Sequence, residues 1–264
     1  EFTSNCLTMQ REHIRQTRNH PSMVFYGYMN EILLRPLKWD ITQEEMDQIG
    51  QSTLELTKKI EVLTKQEAPD CKTVMAVHYN QAYNKYGLTD VVDVVGWNLY
   101  FGWYHDTKEY FGEFLDKEHA KYPDRPLIIS EYGPGSDIRC RTESPVLYDF
   151  TEDYQLIMHE SYLQQMMDRP YVAGFAAWNF FDFGSEGRRD TIRSVNQKGM
   201  HTFDRKEKNV CALYRARFSG EPVVFITLRH YLKQGGIEDA AGKGVSTHPV
   251  KIFSNGNEVE LFVN

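Results

Sequence analysis

The chain has 264 residues, of which 41% are hydrophobic, 25% charged and 13% aromatic, so it can bury a full core and does not have the composition of a disordered tail. Its 30 Lys and Arg against 37 Asp and Glu give a net charge of −7, which leaves no basic field for a phosphate backbone. No run of 18 apolar residues occurs to cross a bilayer, and neither nucleic acid nor a membrane is expected as a partner.

The aromatic residues, 4 Trp, 16 Tyr and 15 Phe, fit either an aromatic core or flat ligand platforms. Cys6, Cys71, Cys140 and Cys211 follow no metal-ligand or redox spacing and read as ordinary thiols. The sequence opens Glu1-Phe2-Thr3-Ser4-Asn5 without a basic segment or an apolar one behind it, so no targeting signal is expected within this stretch. Compartment stays open, with a soluble periplasmic or secreted protein as the expectation.

In chain order, residues 7–18 have helical spacing, and Asn19-His20-Pro21 stops the helix because the residue before proline is pushed out of the α region. Met23 to Met29 is a continuous apolar run, the pattern of a strand covered on both faces, and it gives way to Asn30-Glu31. Thr42 with Glu45 forms a capping box that opens a helix reaching about Gln66. The unit then recurs. Buried strands are expected at 73–79, 91–100, 126–131 and 171–179, with helices near 108–122 and 152–168. The link 81–90 has room for one or two turns. Alternating strands and helices predict an α/β fold with a parallel sheet, either a barrel or a doubly wound sheet. No glycine-rich phosphate loop follows any strand, which favours the barrel.

From Pro222 onward the pattern is that of strands. Val250–Phe253 and Val259–Val263 flank Ser254-Asn255-Gly256-Asn257, a strong hairpin signal. The expected domains are therefore residues 1–221, α/β, and 222–264, the start of an all-β domain.

In an α/β barrel the active site lies at the C-terminal ends of the strands, so the residues to weigh are those where each apolar run turns polar. These are Asn30 and Glu31, His78 to Asn80, Asn98 and Tyr100, Glu131 and Tyr132, and Trp178 and Asn179. Two carboxylates facing one pocket are what glycosidic hydrolysis needs, one as acid and one as nucleophile or water activator, and Glu31 and Glu131 are the candidates. A lone strand-end glutamate is more often a helix cap or an ion-pair partner. Taken singly, His78 is more often a satisfied core histidine, and no His, Asp or Glu cluster has metal spacing.

Asn19-His20-Pro21-Ser22 leading to Asn30-Glu31, then Asn98-Leu99-Tyr100-Phe101-Gly102-Trp103-Tyr104, Ile129-Ser130-Glu131-Tyr132-Gly133 and Trp178-Asn179-Phe180-Phe181-Asp182-Phe183, resemble glycoside hydrolase family 2. Asn196-Gln197-Lys198-Gly199-Met200 and Asp204-Arg205-Lys206-Glu207-Lys208 extend the match. The resemblance implies a (β/α)8 TIM barrel of which only strands four to eight are present. The missing strands would expose two sheet edges, so the chain is expected to be a piece of a larger one, with 222–264 beginning an immunoglobulin-like domain.

The resemblance also implies roles. Glu31 would be the general acid/base and Glu131 the nucleophile. Asn30 and Asn98 would bind substrate, Tyr100 would hydrogen-bond the nucleophile, and Trp178 would floor the sugar. Double displacement with retention would place the two carboxyls about 5 to 5.5 Å apart, with the acid's pKa raised by burial and by the charge of Glu131. Asn196, Lys198 and Tyr104 resemble the glucuronidase residues that grip a sugar carboxylate. The longer match, with Tyr154-Gln155, His159-Glu160 and Arg169-Pro170-Tyr171, sits closer to β-galactosidases. The expectation is therefore a β-galactosidase, with β-glucuronidase the alternative and an inactive carbohydrate-binding barrel or fragment the reading of another class. The expected partner is a β-glycoside or oligosaccharide, without metal or cofactor; homo-oligomerisation stays open.

Overall fold

The computed structural model describes residues 1–227, 229, 237–245 and 249–262. They form two compact units, one of Glu1–Tyr132 with Tyr162–Trp178, the other of Gly133–Ser161 with Asn179–Asn264.

The first unit alternates helices and strands. Helix α1 (Phe2–Thr17) ends one turn before Pro21, and β1 (Phe25–Asn30) follows. Helix α2 (Gln43–Glu67) opens on the expected box: the Thr42 hydroxyl accepts from Glu45 N at 3.2 Å, and the Glu45 carboxylate accepts from Thr42 N at 2.7 Å. Then come β2 (Lys72–His78), a single helical turn α3 (Ala82–Lys85), β3 (Val94–Asn98), α4 (Tyr110–Lys121), β4 (Leu127–Glu131), α5 (Glu152–Met167), which belongs to this unit only from Tyr162 on, and β5 (Val172–Phe175). The five strands pair in parallel in the order β1-β2-β3-β4-β5. Chain order without a reversal is the order of a barrel wall, whereas a doubly wound sheet turns back at its switch point.

Position in the sheet explains where the strand expectations shift. Central β3 is buried at every residue, but β1 lies at an edge and alternates, with Tyr26 and Tyr28 inside and Phe25 and Gly27 outside, so its apolar run does not mean cover on both faces. The third strand begins at Val94 and not at 91, because the Asp93 carboxylate leaves the pattern to accept from Thr73 N at 2.8 Å and from the Lys65 ammonium. The fifth ends at Phe175 and not at 179; beyond it Ala176 N to Ile129 O and Trp178 N to Tyr132 O keep bonds to the neighbouring strand, both at 2.8 Å, while Asn179 N turns to Lys198 O at 3.1 Å.

Many of the aromatics fill the core. Trp97 packs edge-on to Phe114, Tyr162 stacks on Phe111 with centroids 3.8 Å apart, and Trp103, Tyr83 and Tyr132 are fully buried. Tyr79, Tyr104 and Trp39 are exposed.

The second unit contains two short antiparallel pairs, β6 (Phe183–Gly184) with β7 (Val195–Asn196) and β8 (Val224–Ile226) with β11 (Ile252–Ser254), together with α6 (Val210–Phe218). A third, β9 (Ile237–Glu238) with β10 (Gly244–Val245), lies between them in sequence. Leu156, Val210, Ala212 and Phe253 form its core.

The hairpin expected around Asn255-Gly256 does not form. The Asn255 side chain is committed elsewhere: its Oδ1 accepts from Val223 N at 2.7 Å, and its Nδ2 donates to Ser219 O and Glu221 O. Strand 252–254 therefore pairs back to 224–226, and residues 259–262 are irregular. Val263 lies outside the described residues. The four cysteines are free thiols.

In this unit His159 is fully buried, with Nδ1 2.8 Å from the Tyr214 hydroxyl, and burial lowers its pKa to about 3, helped by the charges of Lys198 and Lys208. The unfolded chain binds a proton near the ordinary value of 6.5 while the folded one does not, so stability is retained above that pH and lost as pH falls below it. We expect His159 to account for a loss on the order of 2 kcal/mol between about pH 6.5 and 5. Urea unfolding of the wild type and His159→Gln at the two pH values checks this: an equal acid loss in both would refute it.

Candidate active site

Both candidate carboxylates follow an irregularity at the end of a strand. Along β1, Gly27 pairs with Val74 but Asn30 with Ala76, so three steps oppose two and β1 carries one extra residue. Along β4, Trp97 pairs with Ile129 but Asn98 with Glu131, and Ser130 is the extra residue. Such bulges re-aim the side chains that follow them and gather beside active sites. At the first, Met29 (φ 64°) and Glu31 (φ 48°) take left-handed backbone conformations that cost a non-glycine residue on the order of 1–3 kcal/mol each. Glu31 stays anchored through its N–H to Ala76 O at 2.9 Å.

Asn98, buried at the end of β3, ties the two strand ends together. Its Nδ2 donates to Asn30 Oδ1 at 3.0 Å and to Glu31 Oε1 at 3.1 Å, while its Oδ1 accepts from the Ser130 hydroxyl at 2.7 Å. Tyr100 donates its hydroxyl to Glu131 Oε2 at 2.8 Å, and Tyr104 packs edge-on to it with centroids 5.3 Å apart.

Burial pushes the Glu31 carboxyl above its ordinary pKa, with the Asn98 hydrogen bond and the charge of Lys38 pulling the other way. Burial is thus the leading cause where a neighbouring carboxylate was expected to share the effect. The Tyr100 phenol lies well above its usual value through burial and then the Glu131 charge, so it remains a donor. His78 is neutral down to about pH 4, held there by burial and by Lys38 and His105; its Nδ1 lies 2.8 Å from the Tyr83 hydroxyl, and it sits in the core as a satisfied residue. Trp178 is half-buried beyond β5.

The first unit therefore brings together Asn30, Glu31, Asn98, Tyr100, Tyr104 and Glu131. One carboxyl has its pKa raised by burial and the other accepts from a phenol, an arrangement that can donate a proton and attack an electrophilic carbon.

Asn196 and Lys198 belong to the second unit, and both are buried. Asn196 Oδ1 accepts from Lys198 N at 3.1 Å, and Lys198 Nζ donates to Gly133 O at 3.3 Å. The glycine of this run is a packing requirement: a Cβ on Gly199 would lie 2.1 Å from Asp182 N and 2.4 Å from His201 O. Lys208 and Asp182 both lie in the runs that carry the resemblance. They form a fully buried ion pair at 2.8 Å, which explains why those residue types stand there. A cavity of about 390 Å³ in this unit has Asp182, Gln197 and Phe203 among its walls, and neither Asn196 nor Lys198 lines it. Among the described residues no group of three or more His, Cys, Asp and Glu could hold a metal ion.

Parallel strands in chain order with two glutamates at their C-terminal ends are the layout of a glycoside hydrolase barrel. The family model for the TIM barrel domain of glycosyl hydrolases family 2 matches residues 1–221, and the chain belongs to that family. A β-glucuronidase of Bacteroides fragilis is 32% identical over all of this chain and 35% of its own length. Among solved structures, Bacteroides uniformis β-glucuronidase 2, covalently bound to cyclophellitol-6-carboxylate aziridine, matches with a TM-score of 0.91 and 38% identity over 96% of this chain and 30% of that one. A putative β-galactosidase from Bacteroides fragilis matches with a TM-score of 0.77 and 30% identity, over 96% of this chain and 35% of that one. The chain thus spans about a third of the length of these relatives.

The relatives do not support the β-galactosidase expectation and fit β-glucuronidase better. Two of the residues behind the galactosidase reading carry no information about the sugar. Gln155 is buried and bonds to Ser136, Pro134 O and Gly199 O, and His159 is buried against Tyr214, so both report packing.

Proposed function

We propose that the chain carries the catalytic residues of a retaining β-glucuronidase. The observation that carries the mechanism is the pairing of a burial-raised Glu31 with a Glu131 held by Tyr100. Glu131 attacks the anomeric carbon and the glycosidic C–O bond breaks, its electron pair going to the aglycone oxygen as that oxygen takes the Glu31 proton. Glu31, now a carboxylate, removes a proton from water; the water oxygen attacks the same carbon and releases Glu131. Asn30 donates to the sugar 2-hydroxyl, Asn98 keeps Asn30 and Glu31 in register, and Trp178 lies under the ring.

The choice of glucuronate rests on the named relatives, one of them bound covalently to a 6-carboxylate, and on the run Asn196-x-Lys198-Gly199. In this reading Lys198 is a counter-charge for a sugar carboxylate and Asn196 a donor to it, as the resemblance implies. The five parallel strands are strands four to eight of the barrel, residues 1–221, and 222–264 begin an immunoglobulin-like domain.

The test is hydrolysis of 4-nitrophenyl β-D-glucuronide and β-D-galactoside, by the chain and by a polypeptide that supplies the other strands, with NMR of the sugar first released. We expect glucuronide to be preferred by at least about 100-fold, a difference of about 3 kcal/mol for one paired carboxylate, and the β-anomer to appear first. Faster cleavage of the galactoside overturns the substrate; an α-anomer overturns the mechanism.

A further inference from the structure

Ser130 is the residue before Glu131. In the structure it is the extra residue of the β4 bulge, and its hydroxyl lies 2.7 Å from Asn98 Oδ1. An asparagine amide has two orientations of nearly equal shape. In the one found, Asn98 presents its oxygen to Ser130 and its nitrogen to Asn30 Oδ1 and Glu31 Oε1. The reverse would set the amide oxygen against two acceptors, one in a carboxyl that must carry charge for half of the catalytic cycle. Space for the Ser130 side chain exists because residue 96 is glycine: a Cβ there would stand 2.8 Å from Ser130 Oγ and 3.0 Å from its Cβ.

We propose that Ser130 is a positioning residue, whose hydroxyl fixes the Asn98 amide so that the segment carrying the nucleophile orients and tunes the acid/base on the far side of β2. The proposal rests on the reading of Glu31 as the acid/base.

The donated hydrogen bond from Asn98 favours the ionised form of Glu31 and burial opposes it, so the bond sets how far the raised pKa climbs. The other groups facing Glu31 hold their state near neutral pH. Lys38, in the turn after β1, acts on it as a positive charge. The phenols of Tyr83 from α3 and Tyr100 after β3 are raised by burial and feel the Glu31 charge, and Tyr100 donates to Glu131. His78 of β2, behind Tyr83, is neutral above about pH 4.

The experiment compares wild type, Ser130→Ala and Ser130→Thr by two readouts: carboxyl-carbon NMR titration of Glu31, and the pH profile of kcat/KM on 4-nitrophenyl β-D-glucuronide. Losing the hydroxyl should raise the Glu31 midpoint and the basic limb together by about half a pH unit or more, with kcat/KM down about tenfold at the wild-type optimum. Threonine should restore both. Should the alanine variant fail to fold, Ser130→Cys fills the same space with a weaker donor and should shift both readouts the same way. A Glu31 midpoint unchanged without the hydroxyl overturns the proposal. So does an equal loss of rate in the alanine and threonine variants with an unmoved pH limb, which would mean that Ser130 only packs. A shifted, threonine-restored NMR midpoint in a protein that hydrolyses no glycoside would uphold the positioning role and overturn the proposed function instead.

Discussion

Glu131→Gln is expected to lower kcat for β-glucuronide hydrolysis by about four orders of magnitude or more, the scale on which loss of a covalent nucleophile is felt. The substitution keeps the shape of the side chain, and its amide oxygen can still accept the Tyr100 hydroxyl that now bonds to Glu131 Oε2 at 2.8 Å. The loss should therefore be chemical, with the unfolding midpoint within a few degrees of wild type. Glu31→Gln offers an internal control. It should cost about 10²–10⁴-fold, because it removes proton transfer but leaves attack intact, and the cost should shrink for aglycones that depart without a proton. Steady-state rates on 4-nitrophenyl and alkyl glucuronides give both numbers. Full activity of Glu131→Gln would remove Glu131 from the mechanism.

The largest effect on stability is expected at Lys208. Its ammonium has three N–H groups and three acceptors: Ser136 O at 2.7 Å, Asp182 Oδ1 at 2.8 Å and Gln197 O at 2.9 Å. Burial works against both charges, pushing Lys208 down and Asp182 up, and the close contact with matched hydrogen bonds opposes it. Lys208→Met fills similar space but strands the Asp182 carboxylate with Gly199 N as its remaining donor in that network, at 2.9 Å, and takes the ammonium from Ser136 O, while Gln197 O keeps Ser136 N at 2.9 Å. Removing one member of a buried pair typically costs 3–5 kcal/mol, and we expect a loss of about that size in urea unfolding. Adding Asp182→Leu should restore part of it, because the stranded charge and not the lost pair is the main penalty. A loss under about 1 kcal/mol would mean that water or a neighbour takes over the lysine's part.

Much of this was legible in the sequence because it depends on local rules. The capping box at Thr42 and the buried strand at Val94–Asn98 follow from spacing and residue type. Glu31 and Glu131 stand out because an apolar run turning polar marks a strand end, and in a barrel the strand end marks the site. What could not be read depended on partners far along the chain. Nothing near Asn255 announces that its amide is used by residues 219–223, so the strongest hairpin signal in the sequence failed. Nothing near Ser130 announces Asn98, 32 positions away, and Lys208 meets Asp182 across 26. The sugar is not legible for a related reason: Gln155 and His159 lie in a motif, but their side chains are spent on packing.

The two bulges give the strand ends a numerical character. Side chains along a strand alternate between faces, so one added residue reverses the parity of everything after it. Deleting Met29 or Ser130 would do more than shorten a strand by about 3.3 Å: it would turn Glu31 or Glu131 to the opposite face, with every other residue unchanged. At position 29 the number of residues is constrained more tightly than its identity, and at position 130 both are constrained. Aligned sequences of functional relatives should therefore vary in residue type at position 29 far more readily than they gain or lose a position there, and at position 130 should keep both the count and a hydroxyl.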